Sequence, residues 1–180
     1  FDRLMDKYGL EKLKTIGDAY MFAGGVPVVN NTHEIDAVLG SLEIRDVVEK
    51  INRKKKKAEW PVFEIRIGIN TGPLMAGVVG EKKFVYDVWG DSVNLAKRME
   101  SAGARGQVNI SAVTYERVKD FFVTEQRGQI LAKNKGAVNM YFVKRIKPEL
   151  SLDAAGLQPN EIFWEMYHER QKERFQRQLH

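Results

Sequence analysis

In the run KTIGDAYM, Lys14 and Asp18 stand four residues apart, and the carboxylate directly follows a glycine. An aspartate at such a turn can hydrogen-bond its own backbone. It can also offer open oxygens to a divalent cation such as magnesium, which keeps waters and substrate phosphates in its shell. Further along, Asp87 lies in YDVWG. A lysine donating to a ring nitrogen and a carboxylate accepting from an exocyclic amino group would together read adenine. Guanine presents a carbonyl at that edge, which an ionised carboxylate repels. Asn94 and Arg98 are four apart in DSVNLAKRMES, so on a helix they share a face. Arg98 could fork two donors onto phosphate oxygens, and Asn94 could fix a sugar or an ordered water. Lys133 and Lys135 flank Asn134, where a lysine could reach phosphate. Taken singly, each has a plainer reading: a surface lysine, a turn or capping carboxylate, a surface hydrogen-bond pair, a lysine guarding a strand edge.

Other chemistries find little support. The chain has no cysteine, so there is no disulfide framework and no thiolate chemistry. His33, His168 and His180 are scattered and make neither a zinc set nor a catalytic pair. GPLMAGVVG lacks the terminal Lys-Ser/Thr of a phosphate-binding Walker loop. Trp60, Trp89 and Trp164 read as packing residues rather than a stacking track. The net charge of +5 resides in Arg53 to Lys57; without that run 24 basic residues face 24 acidic ones. So local a charge reads as a solvated helix end or loop, with a partner or lipid surface as the other reading, and no nucleic acid is expected. No stretch is long and apolar enough to cross a membrane, and no secretory leader is visible. FDRLMDKYGLEKL begins as if inside an element, so sequence upstream of Phe1 is expected, where a membrane span or sensor domain could lie.

These residues need a scaffold. FDRLMDKYG reads as the last turns of a helix, with Leu4, Met5 and Tyr8 buried and Gly9 as a left-handed cap. LEKLKTI and YMFAGG read as strands joined at Gly17-Asp18. Thr32 to Asn52 carries a helical apolar period, with Asp46 a misfit on that face and polar capping groups at residues 30–32. VFEIRIGIN predicts a strand with Phe63, Ile65, Ile67 and Ile69 on one side. TGPLMAGVVG reads as a glycine-punctuated connection and KFVYDVWG as a short strand. A helix follows, capped by Asp91 or Ser92, with Val93, Ala96 and Met99 packed and Leu95 at the border. VNISAVTYERVKDFF predicts a strand, a Ser111 cap and a helix. FFVTEQRGQILAK and NMYFVKRI predict strands joined at residues 134–136, with Pro148 just past the end. PELSLDAAGLQPNEI is linker-like and precedes a helix over Asn160 to Leu179. Ile162, Phe163, Met166 and Tyr167 form its apolar patch, which would cover the chain's own sheet or meet a partner. Alternating strands and helices favour an α/β sandwich.

In this order, EKLKTIGDAYM, IRIGINTGPLMAGVVG, YDVWGDSVNLAKRMES, GQILAKNKG and MYFV resemble the catalytic domain of the class III nucleotidyl cyclases. The resemblance covers residues 1–146, with 147–180 a C-terminal linker and amphipathic helix outside it. It implies a ferredoxin-like βαββαβ core with extra C-terminal strands. It assigns Lys14 and Asp87 to adenine selection, Val88 to a backbone contact with the base and Asn94 to ribose orientation. Arg98 would stabilise the transferring phosphoryl group, Lys133 would grip the terminal phosphates, and Asp18 would be the second of two metal aspartates. Guanylyl members usually carry glutamate and cysteine at the positions of Lys14 and Asp87, so the implied activity is an adenylate cyclase making 3′,5′-cyclic AMP and pyrophosphate from ATP. The implied cofactors are two divalent cations, Mg2+ or Mn2+. The implied assembly is a head-to-tail homodimer, in which Asp18 serves a site whose other residues come from the second copy. One departure stands out. The family's upstream strand bearing the first metal aspartate, of the FADIVGFT kind, is absent, so the expected fold is incomplete at its N-terminus. A non-catalytic cyclase-like domain that dimerises and senses nucleotide is the alternative. The expected location is cytoplasmic, in a parent protein open to membrane anchoring.

Overall fold

The computed structural model describes residues 1–80, 84–132 and 136–177. Helix α1, Asp2–Lys7, ends as expected at Gly9, whose φ of +59° is left-handed. There the amide of Leu10 donates to the Met5 carbonyl at 2.9 Å and that of Gly9 to the Asp6 carbonyl at 3.3 Å. This is a Schellman closure, and Met5 and Leu10 lie in one core, as its hydrophobic contact requires. Strands β1, Glu11–Ile16, and β2, Ala19–Ala23, pair antiparallel with Ile16 opposite Ala19. That leaves Gly17-Asp18 as the two-residue turn.

Helix α2, His33–Lys57, runs five residues past the expected end and takes in the whole lysine run. Cations in the last turn meet the negative end of the helix dipole, which favours that extension. Strand β3 is only Ile67–Ile69, shorter than the alternation of VFEIRIGIN predicts. The side chain of Asn52 holds Phe63 at both its amide (2.8 Å) and its carbonyl (2.7 Å), which draws the first half of that run onto the end of α2. Ile65 and Ile67 still pack on the core. Residues 71–80 are more than the glycine-punctuated connection that their sequence suggests. They contain a strand, β4, Met75–Val79, which pairs antiparallel with β5, Val85–Trp89. Gly77 in its middle weakens the strand signal.

Helix α3, Asp91–Ser101, is capped by Gly90 at φ +136°, not by the side chain of Asp91 or Ser92. The Ser92 hydroxyl instead donates to the Pro73 carbonyl at 2.6 Å. Ser92, Leu95 and Met99 are its buried residues, so Leu95 lies inside the packed stripe and Val93 and Ala96 flank it. Strand β6, Val108–Ser111, leads into α4, Ala112–Val118, where the Ser111 hydroxyl accepts from the Thr114 amide as expected. Strands β7, Phe122–Ala132, and β8, Gly136–Ile146, form the long hairpin.

The main sheet has the order β3-β6-β8-β7, with β3 and β6 parallel and the other pairs antiparallel. Ribbons β1–β2 and β4–β5 are separate sheets. Alternation along the central strands divides the interior. Val108, Ile110 and Val143 join the core built with α2 and α4, whereas Met140 packs with Leu95 and Met99 of α3. Gly68 of β3 meets α3 so closely that a Cβ there would lie 1.9 Å from the Glu100 backbone nitrogen. The architecture is mixed α/β, in keeping with the alternating elements of the sequence.

Residues 148–160 are well fastened. Asp153 Oδ1 accepts from the amides of Leu157 (2.9 Å) and Gln158 (3.1 Å), and the Ile146 amide donates to the Gly156 carbonyl at 2.9 Å. Helix α5, Glu161–Arg177, then docks. Phe163 is 0% exposed, with ring contacts to Phe121 and Phe122, while Ile162 faces solvent. The Tyr167 hydroxyl donates to Asp36 Oδ1 at 2.8 Å and the Thr32 hydroxyl to Oδ2 at 3.0 Å. Burial outweighs those bonds and pushes the Asp36 carboxyl up to about 6. Phe163→Ala is expected to cost about 3–5 kcal/mol, lowering the melting temperature by roughly 10 °C. A loss under about 1 kcal/mol in thermal melts would mean that α5 adds nothing to the core.

Candidate functional site

The β1–β2 ribbon packs against β5. That contact brings Lys14 and Asp87, 73 residues apart in sequence, to 2.5 Å between Nζ and Oδ2. Lys14 leaves β1 beside an irregularity in the β1–β2 register between Lys12 and Lys14. Asp87 lies mid-strand on β5, where antiparallel pairing with Gly77 fixes its backbone. Its other oxygen accepts from the Val88 amide at 2.9 Å, while the Val88 side chain is buried. The Lys14 ammonium, aided by the Val88 amide, holds the Asp87 carboxyl below the usual carboxylate range. The side chains remain reachable, 36% exposed for Lys14 and 16% for Asp87. A paired donor and acceptor at an accessible edge can read a ligand presenting the complementary pair.

Asn94 and Arg98 both lie on the exposed face of α3, one turn apart. Arg98 reaches across to β7, where its Nη1 donates to the Leu131 carbonyl at 3.0 Å. The guanidinium has further donors in its fork, so this bond orients it without exhausting it. Lys133 lies outside the described residues. It follows β7 by one position, and Arg98 is anchored two residues before it.

Two supports for α3 escaped sequence reading. Asn70, just past β3, donates from Nδ2 to the Ser92 carbonyl at 3.1 Å and accepts from the Ser111 hydroxyl at 2.7 Å. It thereby ties the start of the helix to β6. Gly68 sets the close approach of β3 and α3. A glycine inside a strand pattern signals such an approach, so that support was open to detection. The Asn70 bridge had no local signal.

Asp18 occupies the β1–β2 turn with its side chain exposed, suited as a hard oxygen donor to a divalent cation. Among the described residues no three His, Asp or Glu side chains converge as a metal site. A cation at Asp18 therefore needs ligands from phosphate, water or other residues. The donor chemistry fits on those terms.

The chain is similar in sequence and fold to known proteins. Residues 1–145 match the family model for the adenylate and guanylate cyclase catalytic domain. An adenylate cyclase of Mycobacterium tuberculosis is 42% identical over 143 residues, which cover 79% of this chain and 31% of that protein. The chain thus spans about a third of that curated relative's length. The guanylate cyclase domain of RhGC from Catenaria anguillulae, solved with GTP, superposes with a TM-score of 0.73 at 36% identity, covering 81% of this chain and 78% of that one. The adenylyl cyclase CyaB from P. aeruginosa gives a TM-score of 0.76 at 30% identity, covering 83% of this chain and 79% of that one.

Proposed function

This chain belongs to the family of adenylate and guanylate cyclase catalytic domains, and we propose that within it the chain is of the adenylyl type, converting ATP to 3′,5′-cyclic AMP and pyrophosphate. The observation that carries this reading is the Lys14–Asp87 pair. Asp87 accepts from the adenine amino group, Lys14 donates to the adjacent ring nitrogen, and the Val88 amide keeps the carboxylate aimed. Adenine replaces a bond that the two side chains otherwise make to each other. Guanine would set its carbonyl oxygen against Asp87.

Asn94 holds the ribose and Arg98, one turn on, meets the α-phosphate. The ribose 3′ oxygen attacks the α-phosphorus, the bond to the β-phosphate bridging oxygen breaks, and pyrophosphate leaves. The reaction is intramolecular, so orientation and charge stabilisation supply most of the acceleration. Arg98 stabilises charge developing on the α-phosphoryl oxygens, and Lys133 neutralises the terminal phosphates. Two divalent cations, Mg2+ or Mn2+, held in part by Asp18, would supply Lewis-acid charge that eases deprotonation of the 3′ hydroxyl. No side chain becomes a covalent nucleophile.

The proposal includes a homodimer with a site at each interface and Asp18 facing the other copy's nucleotide. Apolar exposure on the β4–β5 ribbon supports it: Met75, Val78, Val79, Val85 and Trp89 all face solvent in the single chain. A two-fold pair would cover them and complete two equivalent sites. The proposal also includes a cytoplasmic location and an upstream regulatory domain in the parent protein.

A cyclase assay on the full-length protein, with ATP and GTP and with magnesium and manganese, tests this reading. Asp18→Ala is expected to lower activity with either metal by at least about 100-fold while nucleotide still binds. Nucleotide binding without any cyclisation by the unmodified protein would favour a nucleotide-sensing role instead.

A further inference from the structure

The basic run at the end of α2 takes no part in the candidate site, yet it is elaborately presented. We propose that Arg53 to Lys57, together with Trp60, Val62 and Phe63, form a docking surface for a membrane leaflet containing anionic lipid.

The charge exceeds what the helix needs. A helix C-terminus carries about half a negative charge, whereas Arg53 and four consecutive lysines close α2. Arg53 pairs with Glu49. Among the described residues, Lys54 to Lys57 form no ion pair with a carboxylate. Glu59 is the only acid between Lys54 and Phe63, and the next, Glu64, pairs with Arg105 at 2.7 Å.

Beside this charge lies an ordered apolar tip. Trp60 is 66% exposed and Phe63 56%, with Val62 and Ile51 also exposed. The loop is tied to the helix at several points. The Trp60 amide donates to the Lys55 carbonyl at 2.9 Å, Lys55 Nζ donates to the Pro61 carbonyl at 3.1 Å, and Asn52 clasps Phe63. Lys55 also lies 4.0 Å from the centre of the Phe63 ring. Glu59 takes a left-handed φ of +56° to turn the chain there.

A bilayer surface matches both halves of this patch. Tryptophan and phenylalanine favour the headgroup boundary, and lysines beside them reach anionic headgroups. A nucleic-acid groove would use the cations but leaves exposed Val62 and Ile51 without a role. No helix among the described residues is long and apolar enough to cross a membrane. The proposed contact is independent of the cyclase reading.

Co-sedimentation of the 180-residue chain with vesicles tests the proposal. The expected result is binding to phosphatidylcholine vesicles containing about 30% phosphatidylserine, none to phosphatidylcholine alone, and loss at ~1 M salt. Replacing Lys54 to Lys57 by glutamine should weaken binding at least about 10-fold, while their replacement by arginine should retain it. Trp60→Ser with Phe63→Ser should weaken it several-fold with the salt dependence kept. Thermal melts establish that each variant is folded, and Trp60→Ser alone serves if the double variant is not. Absence of vesicle binding, equal binding to uncharged vesicles, or an unaffected glutamine variant would overturn the proposal. So would an oligonucleotide displacing the vesicles while the aromatic variants bind both as the parent does.

Discussion

Replacing Lys14 by glutamate and Asp87 by cysteine should move the protein from ATP toward GTP, with the ratio of kcat/KM values for the two nucleotides changing by about 100-fold or more. The two changes have to be made together. Lys14→Glu alone would set a carboxylate against Asp87 at the position where Nζ now lies 2.5 Å from Oδ2. That variant should lose ATP without gaining GTP. In the double variant glutamate can accept from the guanine ring N–H and amino group, and the thiol no longer repels the carbonyl. Parallel assays with both nucleotides give the ratio. Equilibrium binding of each nucleotide gives the same comparison if turnover is too slow to follow. An unchanged preference for ATP in both measurements would remove Lys14 and Asp87 from base selection.

The second large effect is expected at Arg98. Arg98→Ala should reduce kcat by about 100- to 1000-fold, with ATP affinity changed less than about threefold, because its main contact strengthens only as charge develops. Arg98→Lys should recover little, since an ammonium cannot reproduce the fork that also holds the Leu131 carbonyl. Arg98 is exposed, so its removal should shift thermal stability by no more than about 0.5 kcal/mol. Weakened ATP binding at unchanged turnover would mean that Arg98 holds the ground state alone.

Much of this was legible because it is local. The Gly17-Asp18 turn, the Ser111 cap and the shared face of Asn94 and Arg98 each follow from a few neighbouring residues. Lys14 and Asp87 could be paired in thought through complementary chemistry, but only the packing of β1–β2 on β5 brings them within a hydrogen bond. What escaped is tertiary. Gly77 hides β4 from any propensity argument, although pairing with β5 makes it a strand. Asn52 diverts Phe63 from a ladder that its alternation predicts. Residues 148–160 look loose because their order comes from Asp153 accepting backbone amides, an arrangement that composition does not announce.

The absent methyl at Gly68 has a mechanical meaning. With backbone against backbone there, α3 has no clearance to slide over β3, so Arg98 and the main sheet shift as one slab. The β1–β2 ribbon shares no ladder with that slab. Lys14 and Asp18 thus ride on a ribbon of their own, whose Lys14 meets Asp87 of β5, so a base entering there parts an ion pair and no sheet ladder.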